Sequence, residues 1–457
     1  MRVSQLWTGL TVALLVNSFI SAEPCEMDIT LPGNLGSEAL LGSAVALDGE
    51  LLAVGAPLDT GVAWASGAVY VYRLEAGQWT LEAKLIADDA DWGDMLGVDV
   101  DLEGDTLVAG AWFNNAFGSN SGAAYVFTRS DVGTWSNPTK LLPPDPGAED
   151  VFGRTVALGD GFCAVGAPLD DDQGNSSGSI HVFDQNVDGS WTHAAKLVSS
   201  ETAIGHQLGL GLDADGLRIL GGSPWAYDGR GMIRLWQRLG STWSSSWFMT
   251  MQTTGTPEDY FGFSVTLDGS RMAAGAYRDD TYGIDAGSVW VMEEAFDGWS
   301  FTQLPPPEPQ VGAQFGVSIA LSGDDLLVGS RYANIDDVDS GRADVLTAPS
   351  WMHRMTLTPP NPANESEFGW ACDLEGDLAT VGALYQPTDG AVFAWSGIQH
   401  ACGCQGDLDQ SGDVGVDDLL TVLAGWDSTE GDGDINADGI TDVDDLLLII
   451  SLWGPCP

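Results

Sequence analysis

Two short acidic stretches near the C-terminus hold the residues with the most specific chemistry. Asp407, Asp409, Ser411 and Asp413 alternate along the chain, with Gly412 at position 6 and Asp418 at position 12 of the same count. Asp434, Asn436, Asp438 and Ile440 repeat the pattern, with Gly439 at position 6 and Asp445 at position 12. Oxygen side chains at positions 1, 3, 5 and 12, a glycine at 6 for the sharp turn and a backbone carbonyl at 7 are what a twelve-residue calcium loop requires. Asp413 and Ile440 supply the carbonyls. Position 12 is aspartate in both loops, shorter than the glutamate of helix-loop-helix sensors. One such loop could arise by chance in so acidic a chain. Two loops offset by 27 residues, each running into an apolar stretch of helical period (417–426 and 444–453), predict two calcium ions.

The residue types of hydrolytic chemistry are thinly spread. His181, His193, His206, His353 and His400 fall in separate segments, and none forms a zinc-protease pair on a helix. Gly174-Asn175-Ser176-Ser177-Gly178 has the letters of a serine nucleophile elbow, but an elbow joins a strand to a helix. This one sits in a polar loop ahead of a strand, so no catalytic residue is assigned. A second candidate set is aromatic and basic. Trp112, Phe113, Trp225, Tyr227, Tyr277, Arg278, Arg331, Tyr332 and Tyr385 each follow a Gly-Ala or Gly-Ser step. Of these, Trp112, Trp225, Tyr277, Arg278, Arg331 and Tyr332 are the candidates for holding a glycan or a protein loop. The competing expectation is that they pack the loops against one another.

What must position these residues is a repeat. The pattern Phe261-Gly262 to Ala274-Gly275-Ala276 recurs from Leu41, Leu96, Phe152, Leu208, Phe315 and Phe368, at intervals of 55, 56, 56, 53, 54 and 53 residues along the series. So steady a period means one supersecondary unit repeated, each too small to bury its own apolar face. In the first copy Ser43–Leu47 reads as a strand, Asp48-Gly49 as a hairpin turn, and Leu51–Ala56 as a strand buried on both faces. Ala68–Tyr72 is a third strand and Trp79–Leu85 a fourth. Four antiparallel strands in each of seven units predict a mainly β fold, a seven-bladed propeller. Trp79, Trp135, Trp191, Trp243, Trp299 and Trp351 open six fourth strands, and the seventh unit lacks one. Met27–Pro32 resembles Met355–Pro360, so a strand lent by the N-terminus is expected to close the ring and remove its open edges.

The Phe-Gly and Gly-Ala-Pro pattern, closest at Gly55-Ala56-Pro57 and Gly166-Ala167-Pro168, resembles the FG-GAP repeats of integrin α-subunit heads and of many secreted bacterial proteins. The resemblance spans residues 25–396 and implies a propeller that binds partners outside the cell. Family members often carry a calcium loop between their first two strands. Here only tight turns stand there, as at Asp48-Gly49, Glu103-Gly104 and Asp268-Gly269, so no calcium is carried over to the blades. The duplicated loop-helix pattern of residues 404–456 resembles the type I dockerin module, which implies a calcium-binding, non-catalytic docking or tethering tail and a cohesin-like partner. Val416-Asp417 and Val443-Asp444 stand where dockerins place small hydroxyl residues, a departure that bears on partner choice.

The predicted organisation is a signal peptide over 1–22, the propeller over 25–396, a linker over 397–406 and the small helical calcium module over 407–457. Arg2, the apolar run Leu10–Val16 and Ser21-Ala22 make the signal peptide; no other stretch is apolar and long enough to span a bilayer. Export to the periplasm, the cell surface or the medium is expected. The 66 acidic against 16 basic residues give a net charge of −50. A polyanion does not neutralise phosphates, which excludes nucleic acid as a partner. Of six cysteines, Cys163 and Cys372 fall in strands of blades that are not neighbours and read as small buried hydrophobes. Cys25, Cys402, Cys404 and Cys456 sit at module ends and invite disulfides, with three connectivities open. Counting back six residues from Leu31 places Cys25 in the tryptophan slot of the borrowed strand. We therefore expect a Cys25–Cys402 clasp, with Cys404 and Cys456 stapling the calcium module; the choice between Cys402 and Cys404 stays open. The functional expectation is a non-catalytic binding or adhesion propeller held through its tail. The alternative is a propeller-based polysaccharide hydrolase or lyase, which a cluster of titratable groups in the central channel would favour.

Overall fold

The computed structural model describes residues 25–27, 29, 39–199, 203–296, 298–335, 338–385, 389–398, 413–426, 441, 443–451 and 454–455. The span Pro24–Cys402 is one compact unit. It contains seven four-stranded antiparallel sheets, the blades of a propeller. Blade 1 runs Val45–Asp48, Leu51–Ala56, Ala68–Glu75 and Gln78–Leu85 from the inner to the outer strand. Blades 2 to 6 repeat this order along the chain. Their inner strands are Val100–Glu103, Thr155–Gly159, Gly211–Asp215, Val265–Asp268 and Phe315–Ser322. Blade 7 supplies Phe368–Glu375, Leu378–Ala383 and Ala391–Ser396, and Cys25–Met27 pairs as its outer strand. The N-terminus therefore closes the ring, as the sequence predicts.

The repeat exists because of how blades meet. The residue before each recurring glycine bridges to the start of the preceding blade's third strand: Gly67 with Leu96, Gly122 with Phe152, and so on to Gly390 with Leu41. These side chains are fully buried, with Phe152, Phe261, Phe315 and Phe368 at 0% exposure. The glycine that follows can carry no side chain. A Cβ on Gly97 would lie 2.6 Å from the Ala68 carbonyl oxygen, and one on Gly55 would lie 2.0 Å from the Gly97 oxygen. Gly97 also sits at φ +88°, a conformation that side chains strain. The core lies between consecutive sheets. Val69 and Val71 of blade 1, for instance, pack with Leu107, Ala109, Tyr125 and Phe127 of blade 2. Cys163 and Cys372 are buried free thiols in this core, and burial pushes the Cys372 thiol up to about 12.

Three expectations need correction in detail. The outer strand of blade 2 is only Thr139–Leu141, and Trp135 lies ahead of it in an isolated bridge to Arg129; Pro138 has no N–H to extend the ladder. Among the described residues the paired part of the N-terminal strand is Cys25–Met27, which begins two residues before the expected Met27, with Cys25 opposite Ser396. Ser396 corresponds to Arg73 of blade 1, which faces Thr80, so Cys25 stands one place inward of the tryptophan slot. No disulfide is present among the described residues; Cys402, Cys404 and Cys456 lie outside them. No helix among the described residues is long and apolar enough to cross a membrane.

In the C-terminal unit the described elements are helices Val416–Ala424 and Val443–Ser451 and a short pairing of Asp413–Val414 with Gly454–Pro455. Both helices begin one residue earlier than the sequence suggests, and the first ends two residues earlier. Asp407, Asp409, Ser411, Asp434, Asn436, Asp438 and Ile440 lie outside the described residues.

Candidate functional site

Because every inner strand is anchored by the interlocking glycine at or just before its start, offsets from that glycine define layers of the central channel. The first residue after it is Ser43, Val98, Arg154, Leu210, Phe263, Val317 or Trp370, and all seven line one mouth, a cavity of about 520 Å³. Pro57, Leu58 and Trp112, from loops after second strands, line it too, which places this funnel on the face of the long loops. Six residues after the glycine, Asp48, Glu103, Asp215, Asp268 and Glu375 line the opposite mouth, at the tight hairpins. The two ends of the channel thus differ in kind: one is apolar with a guanidinium, the other acidic.

Between them lies a waist lined by Asp99, Asp101, Asp213, Thr266 and Asp373. The inner strand is an edge strand, and its outward N–H groups need acceptors. Side chains of the preceding blade provide them. Asp101 accepts from Leu158 N at 2.6 Å, Asp213 from Leu267 N at 2.7 Å and Asp373 from Leu47 N at 2.6 Å. Thr266 accepts from Leu321 N at 3.2 Å and Ser318 from Cys372 N at 2.9 Å, doing the same work without charge. Burial pushes Asp99 and Asp101 up to about 6 and Asp373 up to about 7, and raises Asp213 well above the ordinary carboxylate range. Asp101 adds repulsion to both Asp213 and Asp373.

The six aromatic and basic candidates gather into three groups on the loop face. Trp112 is sandwiched between Phe113, 4.1 Å away and nearly parallel, and the Arg154 guanidinium at 5.0 Å. Trp225, Tyr277 and Arg278 meet around Tyr260. Trp225 lies 4.6 Å and Tyr277 5.6 Å from its ring, and Arg278 lies over both tyrosines. Arg331 stacks on Tyr332 and Trp370 and donates to Gln314 at 2.6 Å, while the Tyr332 hydroxyl donates to Glu367 at 2.9 Å. Most of these side chains are therefore engaged with one another, as loop packing requires; Trp225 remains 44% exposed. The residues just before the bridging position, from Leu40 and Met95 through Val151, Gln207, Tyr260 and Gln314 to Glu367, all hold φ between +51° and +61°. A left-handed non-glycine residue costs about 1–2 kcal/mol, so the rim of this face is held by the interlock beneath it.

Sequence reasoning passed over two features of this face. Arg154 and Trp370 belong to the position after the glycine, where aligning the seven repeats would have singled out one arginine among small, aliphatic and aromatic residues. Trp64 and Trp92 come from two loops that meet between blades 1 and 2, stack at 4.7 Å, and are 55% and 64% exposed. In the C-terminal unit Asp418 and Asp445 are buried, and Asp418 accepts from Gly415 N at 2.8 Å. Val416, Leu420 and Leu423 on one helix and Val443, Leu447 and Ile450 on the other are exposed at matching positions.

The FG-GAP repeat family model matches residues 33–72, 79–127, 135–183, 253–292 and 300–345. These segments cover blades 1, 2, 3, 5 and 6; blades 4 and 7 complete the ring with the same topology. The chain thus carries FG-GAP repeats in a seven-bladed β-propeller. No curated protein matches it. Among solved structures, a protein from Lactobacillus plantarum is similar, at 12% identity over 72% of this chain and 86% of that one, with a TM-score of 0.46.

Proposed function

We propose that this FG-GAP-repeat propeller is an exported binding or adhesion module that engages an extracellular glycan or protein on its long-loop face and is held in place through a calcium-loaded, dockerin-like tail. The observation that carries the reading is the Trp64–Trp92 stack. Each indole could bury 150–250 Å², yet both stand more than half exposed beside Val62 at 53%. Exposed contiguous aromatic surface marks an interaction site more often than a monomer's bare surface. A glycan and cell-wall array probed with the full chain and with a Trp64→Ala/Trp92→Ala variant tests it. Equal retention of both proteins would refute the assignment.

The tail reading rests on the donor set. Asp407, Asp409, Ser411, Asp413 and Asp418 would hold one calcium ion, and Asp434, Asn436, Asp438, Ile440 and Asp445 the other. Both position-12 carboxylates are buried in the helices' first turns, where a carboxylate needs a cation or several donors. Calcium supplies charge neutralisation and closes each loop on its helix. The repeated apolar stripes at 416/420/423 and 443/447/450 suit a docking partner. A Cys25–Cys402 or Cys25–Cys404 bond would pin the closing strand.

The waist carboxylates favour a second reading, a hydrolase or lyase acting on polysaccharide. Against it, the position of Asp101, Asp213 and Asp373 is filled by Thr266 in blade 5 with the same backbone bond, which marks a fold-closing role. Release of reducing sugar that Asp101→Asn abolishes would reverse that preference.

A further inference from the structure

Carboxylates outnumber cations about fourfold in this chain, 66 to 16, and the cations are correspondingly taken. Lys84 lies 2.8 Å from Asp59, Arg129 2.8 Å from Glu82, and Lys196 2.7 Å from Asp170. Arg154 differs. Among the described residues no carboxylate comes within 4.0 Å of its guanidinium and no acceptor bonds it; the guanidinium lies over the face of Trp112. Asp99 acts on it electrostatically but from beyond ion-pair reach, its own Oδ2 taken up by Val156 N at 2.8 Å. Burial pushes the Arg154 pKa down, the direction expected of a cation whose partner is missing.

The place of Arg154 makes this a site. It is the single charge in the layer that opens the funnel, among Ser43, Val98, Leu210, Phe263, Val317 and Trp370. The cavity, about 520 Å³, is of the size that takes small molecules or a peptide end. Trp112, wedged between Phe113 and the guanidinium, fixes the plane of Arg154 rather than offering a free face. A guanidinium presents five donors in a fork that matches a carboxylate. An isolated cation in an apolar wall leaves those donors to be satisfied from outside.

We propose that the funnel binds a carboxylate borne on an apolar, aromatic body, with the carboxylate paired to Arg154 and the body seated against Phe263, Val317 and Trp370. A phosphate or sulfate dianion fits less well, because it would meet one cation, apolar walls and Asp99. The same chemistry is offered by a free arylalkanoate and by a peptide ending in phenylalanine.

The test uses the full chain with calcium near neutral pH, calorimetry and tryptophan fluorescence. The probes are 3-phenylpropionate, 3-phenylpropionamide, and Ala-Ala-Phe with a free or amidated C-terminus. We expect each carboxylate to bind at least ~10-fold more tightly than its amide, and Arg154→Gln to erase that preference. Arg154→Lys should keep part of it, which preserves the test if Arg154→Gln does not fold. Tighter binding of the free peptide identifies a chain terminus as the ligand; tighter binding of the arylalkanoate identifies a small molecule. Equal binding of acid and amide, a preference that survives Arg154→Gln, or silence from every probe at about 10 mM, where a ~1 mM site would be filled, would overturn the proposal.

Discussion

Replacing Asp373 by asparagine should tilt the pH dependence of the propeller's stability. In the native state its Oδ2 accepts from Leu47 N at 2.6 Å across the blade 7–blade 1 boundary, and its Oδ1 from Leu374 N at 2.8 Å. Burial, with repulsion from Asp101 and Glu375, lifts its pKa from 3.8 to about 7. The folded state therefore binds this proton more tightly than the unfolded chain. The stability it contributes is full below the unfolded value of 3.8 and is lost as pH rises through 7. At 1.36 kcal/mol per unit, a shift of about three units is worth ~4 kcal/mol. Water in the channel, to which the side chain is partly open, screens the charge, and we take about 2–3 kcal/mol as the working figure. Asparagine cannot ionise, so it removes this loss. It also offers one acceptor where two N–H groups converge, and leaving one unmet costs ~1–3 kcal/mol. Relative to the parent, Asp373→Asn should thus gain stability as pH rises from 5 to 9. Urea unfolding at fixed calcium, with equal m-values, reads the difference directly. Asp101→Asn should behave alike, and each change should ease ionisation of the remaining pair, since the three titrate as a coupled set. Parallel stability curves for parent and Asp373→Asn from pH 5 to 9 would refute the reasoning.

Chelating calcium should melt the helices at 416–424 and 443–451 while leaving the propeller's urea midpoint in place, and Asp418→Asn with Asp445→Asn should abolish calcium uptake by the full chain; calorimetry showing no heat in the parent would sink this. Gly97→Ala, which drives a Cβ to 2.6 Å from the Ala68 oxygen, should cost about 3 kcal/mol or more, whereas Gly49→Ala, with open space around it but φ +58°, should cost ~1 kcal/mol, both read by urea unfolding. Trp112→Ala should lower stability far more than Trp225→Ala, because only the former is packed between two planar groups; thermal melts decide it. Non-reducing peptide mapping should find Cys25 bonded to Cys402 or Cys404, and a free thiol at Cys25 would remove the clasp.

Much of the fold is legible because the glycines that enforce it are local. Gly42, Gly97 and their successors recur at fixed spacing since each must meet a backbone oxygen of the preceding blade, and a two-residue hairpin such as Gly49-Glu50, one place beyond the expected Asp48-Gly49, leaves only one way for the first two strands to pair. The ends are less legible. The outer strands of blades 1, 3, 4 and 6 carry a register shift midway. Counting residues back from Leu31 assumed the same spacing in the borrowed strand, and the assumption misplaced Cys25 by one position. The functional residues are least legible for a different reason. Trp64 meets Trp92, and Asp101 meets Leu158, only after the ring has set blade beside blade. Reading the chain as copies of one pattern also hides the copy that departs from it, which is how Arg154 escaped notice.

That departure points to how the channel is written into the sequence. Each blade contributes a single inner strand, entered at its glycine and left at its hairpin turn. One position on that strand faces the funnel rim, another supplies the waist clasp, and a third reaches the acidic mouth. The interlocking glycine and the buried residue before it fix the strand's height in the ring, so these offsets cannot slide relative to one another. The channel's polarity follows directly: an apolar rim with one guanidinium at offset 1, Asp101, Asp213, Thr266 and Asp373 among alanines at the waist, and five acids with Gly159 and Ser322 at the hairpins. The rim can change without cost to the interlock, because Ser43, Val98, Leu210 and Trp370 serve equally well beneath their different side chains. A fold held by backbone contacts at glycine thereby leaves seven side chains at its mouth to be chosen for a ligand, and the charge at position 154 is the choice that folding alone does not explain.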